Sequence, residues 1–265
     1  MNNYLNQIVG GRYFVLRQIG KGGFSQVYKV KDTVTGKVYA MKQYVTSDPA
    51  NKEKMLEGME RELKALKGCL HPVLPQIYNI IKEEEDFFLI MEYVEGLNLK
   101  EYIGHYGKMK NREVLFVMSQ VCNGLYYLHS LEPPIIYRDL KPSNIILTDN
   151  KRIKLVDFGI AKRYNHDFEM DEQAWGTKGF AAPEQMGDQY GNSLFNTDIR
   201  TDIYGIGTTM YYLKTGKIYC RDKKMWNISS PLRRIIKKCT VYNPDLRYQD
   251  CIEVLCAMKS SKLMI

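Results

Sequence analysis

The chain has 265 residues, 45% of them hydrophobic, and a formal net charge of +8, an ordinary globular composition with enough apolar content for one large domain or two small lobes. No segment approaches the about 18 consecutive apolar residues of a membrane helix, and Met1-Asn2-Asn3-Tyr4 has neither the basic start nor the apolar core of a signal peptide. The expectation is a cytoplasmic chain, or the cytosolic portion of a longer membrane-anchored protein, with no membrane segment of its own.

The first ninety residues read as strand-rich. Tyr13–Ile19, Ser25–Lys31 and Lys37–Lys42 mix β-branched and aromatic residues with polar ones. Glycines and Thr33–Gly36 separate them as turns. Met55, Met59, Leu63 and Leu66 then recur at helical spacing, which predicts a helix over Lys52–Lys67, closed by His71-Pro72. Two further strands are expected over Gln76–Lys82 and Phe87–Glu92. After Gly96 the pattern turns helical: Leu99–Tyr106, Arg112–Ser130, Asp198–Lys214, Pro231–Thr240 and Arg247–Lys259, with loop and short strand over Pro133–Gly159. A small β-rich part therefore precedes a larger helical one.

The basic residues are scattered, which suits anionic ligands better than nucleic acid. Their densest group, Arg233-Arg234 with Lys237-Lys238, reads as a solvated helix face. Of the six cysteines none forms a C-x-x-C pair, so zinc is not expected. Cys122, Cys251 and Cys256 fall in apolar helical patterns and are expected to be buried or inert thiols.

Four motifs carry chemistry. Gly20-Lys21-Gly22-Gly23-Phe24-Ser25 lies between two strands, where glycines let backbone N–H groups approach phosphate oxygens; alone, it reads as well as a plain hairpin. Lys42 ends the apolar strand Tyr39-Ala40-Met41-Lys42 and can hold a polyphosphate as a point charge. Alone it reads as a surface lysine, but Glu62 on the following helix can face it and hold it. In Tyr137-Arg138-Asp139-Leu140-Lys141-Pro142-Ser143-Asn144, a carboxylate can accept a hydroxyl proton, Lys141 can neutralise a phosphoryl group in flight, and Asn144 can offer an amide oxygen to a metal. Thirteen residues beyond Asn144, Asp157-Phe158-Gly159 supplies a second oxygen ligand for Mg2+. Each motif alone is compatible with a polar loop; their occurrence together, in this order, is not a chance pattern.

The set resembles the protein kinase superfamily over about residues 12–258. The resemblance implies an α+β, bilobal fold: residues 1–94 as a small antiparallel β lobe with one main helix and the hinge, residues 95–265 as a mostly helical lobe, and ATP in the cleft. It implies that Lys42, paired with Glu62, contacts the α- and β-phosphates, that Asp139 is the catalytic base assisted by Lys141, and that Asn144 and Asp157 hold the metal, Mg2+ with Mn2+ as the second candidate. Gly20, Lys21, Gly22, Gly23, Phe24 and Ser25 would cover the phosphates. Val27, Ala40 and Ile146 would sandwich adenine, Glu92 and Val94 would read it through backbone groups, Met91 would guard the rear, and Asn98 would reach the ribose. Glu184 of Ala182-Pro183-Glu184 would pair with Arg247, and Asp202 would brace the catalytic loop. Lys141-Pro142-Ser143 and Thr177 resemble the Ser/Thr type, and Gly179–Gln185 is similar to bacterial members. The implied substrates are protein serines and threonines, the chain itself included. Many relatives continue into a membrane helix and a sensor domain, so a regulatory domain or a homodimer is an expected partner.

Two alternatives are weighed by the same residues. A pseudokinase would have lost Lys42, Asp139, Asn144 or Asp157; all are present. A small-molecule kinase usually lacks the Ala-Pro-Glu closure and its arginine partner; both are present. Ser25 at the third glycine position and Tyr137 in place of histidine are departures that leave the chemistry intact. A third departure is informative: between Gly159 and Ala182 there is no serine, and Thr177 is the sole threonine. Where relatives carry a phosphosite to satisfy Arg138, this chain reads Asp167-Phe168-Glu169-Met170-Asp171-Glu172. Two readings of these acids stay open: a carboxylate of Glu169, Asp171 or Glu172 pairs with Arg138 in place of the phosphate, with one charge where phosphate brings nearly two, or the acids simply solvate the loop. On the first reading phosphatase-treated protein should keep its activity; loss of activity together with phosphate on Thr177 or Tyr164 would contradict it.

Overall fold

The computed structural model describes residues 4–22, 25–45, 52–83, 86–164, 176–186, 196–221, 225 and 227–261. Gly23 and Phe24 of the glycine loop, and the acidic stretch 167–172, lie outside the described residues. The chain divides into two compact units, Met1–Leu70 with Leu74–Glu95, and His71–Val73 with Gly96–Ile265. The division thus falls one residue later than the expected 94/95 boundary and transfers a tripeptide. The reason is local: Leu155 N–H donates to Val73 O at 2.8 Å, and a Cβ built on Gly124 would lie 2.6 Å from Val73 Cγ1.

The first unit is a six-stranded antiparallel sheet. Its strands are β1 (Ile8–Val9), β2 (Tyr13–Lys21), β3 (Ser25–Asp32), β4 (Val38–Tyr44), β5 (Ile77–Glu83) and β6 (Asp86–Glu92), in the order β1-β2-β3-β4-β6-β5. All five expected strands are present within two residues of their predicted ends; β1, two residues long, has no sequence signal. Period-2 side-chain direction sorts two apolar clusters. Val9, Tyr13, Val15, Tyr28, Val30, Met41, Phe88 and Ile90 form one. Ala40, Tyr44, Met55, Leu89 and Met91 form the other, with Val27, Met59 and Leu63 packed against it. Met55, Met59 and Leu63 come from α1 (Lys52–Leu66), so the apolar stripe read from the sequence is the face that seats this helix. The turn after β3 is fastened by Asp32, whose carboxylate accepts the Arg12 fork, the Val34 and Thr35 N–H groups and the Thr35 hydroxyl.

The second unit is mostly helical: α2 (Leu99–Tyr106), α3 (Asn111–His129), α4 (Pro183–Met186), α5 (Ile199–Thr215), α6 (Ser230–Cys239) and α7 (Cys251–Ser260). The loop-and-strand region resolves into two small sheets. One joins β7 (Leu97–Asn98), β9 (Ile145–Leu147) and β10 (Ile153–Leu155); the other pairs β8 (Ile135–Ile136) with β11 (Lys162–Arg163). α7 begins four residues later than expected, because Pro244–Leu246 forms a 3-10 turn, Arg247 is extended, and Asp250 caps the helix by accepting Glu253 N–H at 2.8 Å. The same helix corrects the cysteine expectation. Cys251, Val254 and Met258 face inward, and Cys256 lies on the opposite, exposed side; Cys122 is buried as expected.

α5 is the central rod, buried along nearly its whole length. It starts on an Asp198 cap and ends at Gly216, which is left-handed at φ 69°. Two interior glycines allow close approach: a Cβ on Gly205 would sit 2.9 Å from Leu140 Cβ, and one on Gly207 would sit 2.6 Å from Cys239 Cβ and 2.7 Å from Thr240 Cγ2. Alanine improves helix propensity by about 1 kcal/mol, but overpacking a tight core costs about 1–3 kcal/mol. Gly207→Ala should therefore be net destabilising, read as a lower urea midpoint at an unchanged m-value.

Candidate active site

In the first unit, β4 and α1 bring Lys42 and Glu62 together. Lys42 Nζ lies 2.5 Å from Glu62 Oε2, and both are buried, at 5% and 1% exposure. Tyr44, two residues along β4 and so on the same face, donates its hydroxyl to Glu62 Oε2 at 2.6 Å and sets its ring 5.3 Å from the ammonium. Sequence reasoning missed Tyr44, although the period of two from Lys42 pointed to it. A buried carboxylate with an ammonium and a phenol on it is held in one rotamer, and so is the lysine. Val27, Ala40 and Met91 share the apolar cluster beside this pair. Gly20 and Lys21 close β2 opposite Val27 and Gln26, and Gly22 N–H donates to Ser25 O at 2.7 Å. Glu92 N–H is engaged by Gln76 O, and Val94 follows half-buried.

In the second unit, Asp139 sits in a closed ring of partners. Its Oδ2 accepts Lys141 Nζ at 2.7 Å and Asn144 Nδ2 at 2.9 Å, and its Oδ1 accepts the Thr177 hydroxyl at 2.9 Å. The ring closes because Thr177 Oγ1 accepts from Lys141 Nζ at 2.8 Å. Pro142, at the first position of the 3-10 turn Pro142–Asn144, bends the chain so that Asn144 folds back over Asp139. Val156 N–H donates to Asn144 O at 2.9 Å, tying the segment that carries Asp157 to the same turn. Asp157 is exposed and left-handed, at φ 67°. Asn98 and Ile146 are cross-strand partners on β7 and β9. The Asn98 side-chain oxygen accepts the Lys100 and Glu101 N–H groups in a capping box, so that oxygen is engaged by α2.

Below this ring lies a buried support. Asp202 of α5, 1% exposed, accepts the Tyr137 N–H at 2.8 Å on Oδ2 and the Arg138 N–H at 2.8 Å on Oδ1. His129, at the end of α3, places Nε2 2.9 Å from Asp202 Oδ2, and its Nδ1 is 3.9 Å from Cys251 Sγ. Burial disfavours charge on this imidazole. The hydrogen bonds to Asp202 and Cys251 outweigh that and raise its pKa to about 10. His129 was not singled out from the sequence, because nothing in a helix-terminal histidine names a partner 73 residues away. Glu184 and Arg247 form a two-toothed buried pair at 2.7 and 2.8 Å. The Thr201 hydroxyl also donates to Glu184, the Val241, Arg200 and Tyr242 carbonyls accept from Arg247, and the Tyr204 ring lies 5.0 Å from the guanidinium. Every hydrogen-bonding edge of that guanidinium is matched, the condition under which a buried ion pair is tolerated.

Comparison with known proteins identifies the family. Residues 13–262 match the protein kinase domain, and the chain belongs to that family. The serine/threonine-protein kinase PrkC of Bacillus subtilis is 29% identical over 273 residues, which cover 96% of this chain and 41% of that protein. Serine/threonine-protein kinase F of Synechocystis is 29% identical over 286 residues, covering 96% of this chain and 56% of its own length. The serine/threonine-protein kinase cds1 of Schizosaccharomyces pombe is 30% identical over 215 residues, covering 78% and 45%. The chain thus spans about two fifths to a little over half of the length of these relatives. Among the described residues, no helix is long and apolar enough to cross a membrane.

The His129 environment sets a pH dependence. A folded pKa of about 10, above an ordinary 6.5, means that the protonated imidazole stabilises the fold fully below about pH 6.5. That contribution is lost as pH rises through about 10. His129→Gln should destabilise the protein by on the order of a few kcal/mol near pH 6. The gap from the parent should narrow steadily to pH 10 in denaturant titrations; a gap that does not vary with pH would show a neutral imidazole.

Proposed function

We propose that this chain is an active serine/threonine protein kinase domain, moving the γ-phosphoryl group of ATP to serine and threonine hydroxyls of proteins, its own included. The observation that carries the reading is the closed Asp139–Lys141–Thr177 ring, with Asn144 donating to the same carboxylate. A carboxylate fixed by three donors can receive a substrate hydroxyl in one orientation and accept its proton as the oxygen attacks phosphorus. Lys141, already beside that carboxylate, is placed to neutralise charge on the phosphoryl oxygens. Lys42, immobilised by Glu62 and Tyr44, is the group for the α- and β-phosphates, and the backbone of the Gly20–Ser25 loop is suited to cover them. Little covalent work is asked of the protein; positioning and charge compensation do most of it.

Kinases of this family use ATP with a divalent metal, and Mg2+ is the ion proposed here, with Mn2+ second. Among the described residues, no cluster of three His, Cys, Asp or Glu side chains could hold a metal without help. The donors are oxygens: the Asp157 carboxylate and the Asn144 amide, whose nitrogen turns toward Asp139. One carboxylate plus one neutral oxygen suits a hard cation that takes its other ligands from phosphates and water. When bound, such an ion neutralises phosphate charge. Asn144 and Asp157 would hold it, and the Val156–Asn144 hydrogen bond keeps the two ligands' segments together. Asp139→Asn keeps the size and most hydrogen bonds of the ring but removes the proton acceptor. It should cut turnover on a generic protein such as casein by at least about a hundredfold and leave ATP affinity near that of the parent. Retained turnover would remove Asp139 as the base.

A further inference from the structure

Gln185 has no assigned role, yet it is 5% exposed and its amide is used at both ends. It lies on α4, directly after Glu184. Its Oε1 accepts the Ala182 N–H at 3.0 Å, which fixes the amide plane against its own turn. Its Nε2 then donates to the Arg138 carbonyl oxygen at 2.7 Å, across 47 residues. That carbonyl belongs to the peptide joining Arg138 to Asp139, so whatever holds it also sets the direction in which Asp139 leaves the backbone. The peptide before it, between Tyr137 and Arg138, is held by Asp202 through the Arg138 N–H.

The two contacts bracket a strained residue. Arg138 is not glycine, yet its φ is 64°, in the left-handed region. Such a backbone is strained and persists only where surrounding groups over-determine it. Asp202 fixes the peptide on one side of Arg138, Gln185 fixes the other, and the Arg138 Nε–Ile160 O bond at 2.7 Å anchors the side chain. Space for the amide is kept by Gly176, itself at φ 124°: a Cβ there would lie 3.0 Å from Gln185 Nε2 and 2.7 Å from Ala181 Cβ. Gly176 directly precedes Thr177, which bonds Asp139 from the other side. One buried amide thus touches the turn of α4, the peptide that carries Asp139 and the glycine that precedes Thr177.

We infer that Gln185 is a positioning residue for the phosphoryl-transfer centre, orienting the Arg138–Asp139 peptide and through it the Asp139 carboxylate. This rests on the kinase reading for its consequence in turnover, but not for its consequence in structure. Gln185→Leu removes both hydrogen bonds at similar length. Gln185→Glu keeps the acceptor for Ala182 and sets an oxygen against the Arg138 carbonyl. The test measures the full chain in both variants by steady-state turnover, by nucleotide affinity with a fluorescent ATP analogue, and by amide hydrogen exchange. Both variants should lose kcat by about ten- to a hundredfold, with nucleotide affinity and KM for ATP within about twofold. Exchange should quicken in the peptide spanning residues 137–145 while α5 and α7 stay protected. Parental kcat in Gln185→Glu would overturn the donor arm, and with it the inference. Unchanged exchange over 137–145, or loss of protection across α5 and α7 as well, would overturn it too, the latter by showing a merely structural role. If the parent chain binds ATP but shows no turnover, the kinase reading fails, and the exchange measurement still decides the role of Gln185.

Discussion

The Asp202 carboxylate accepting two successive backbone N–H groups is the constraint from which the second unit's polar architecture follows. The Tyr137 and Arg138 amides belong to buried residues, where an unmatched N–H would be costly. A carboxylate buried at the start of α5 satisfies both, and in doing so needs a compensating group of its own. His129 supplies it, from the end of a different helix and at 2.9 Å. The clamp sits on a closely packed helix: glycines at 205 and 207 let α5 settle against the Leu140 side chain and the end of α6. Two glycines within about one and a half helical turns of Asp202 therefore set how closely α5 approaches the loop that carries Asp139.

The buried ion pairs follow a different logic from stability. Lys42–Glu62 and Arg247–Glu184 are both withdrawn from water, and withdrawing two charges costs several kcal/mol before their attraction is counted. An apolar pair of the same volume would serve a core as well. What such a pair gives is a single answer to where a group points. Arg247 meets three carbonyls and a fork of carboxylate oxygens, an arrangement that fits one placement of the turn carrying Glu184 and Gln185. Glu62 with Tyr44 does the same for the Lys42 ammonium. In both places the interaction fixes direction, and direction is what a site that works by positioning needs.

Much of this was legible in the sequence, and the dividing line is physical. Groups that must lie near one another in the chain to do their work, as Asp139, Lys141 and Asn144 do, announce themselves by spacing. The apolar stripe of α1 was legible because a helix repeats its burial every 3.6 residues, and the same argument found α2, α3, α5 and α6. The start of α7 was misread because Arg247, a good helix former by propensity, is held extended by its bonds to Glu184 and to the Arg200 carbonyl, 63 and 47 residues away. Tertiary demand overrode local propensity there. Cys256 was misread because an apolar neighbourhood in sequence does not say which side of the helix a residue takes. His129, Tyr44 and Gln185 were silent for a third reason: each is an unremarkable residue type whose partner is fixed only by the fold. The two- and three-residue strands β1 and β7–β11 are too short to carry a period at all.

Tyr137 shows how a departure from pattern can be absorbed without loss of connection. Its ring packs edge-on against Phe158 at 4.8 Å, and its hydroxyl donates to Val156 O at 2.5 Å, so it links the loop that carries Asp139 to the segment leading into Asp157. An imidazole in that place would make a similar link but could titrate near neutral pH. The phenol is fully buried, and desolvation, reinforced by the charges of Asp139 and Asp157, pushes its ionisation well above the ordinary range. It therefore keeps its proton, and with it this hydrogen bond, across neutral pH. Beneath it, His129 keeps its proton because Asp202 holds it there. Across neutral pH the support under Asp139 is thus held in fixed protonation states, and the proton that moves in the proposed reaction is the one passed to Asp139.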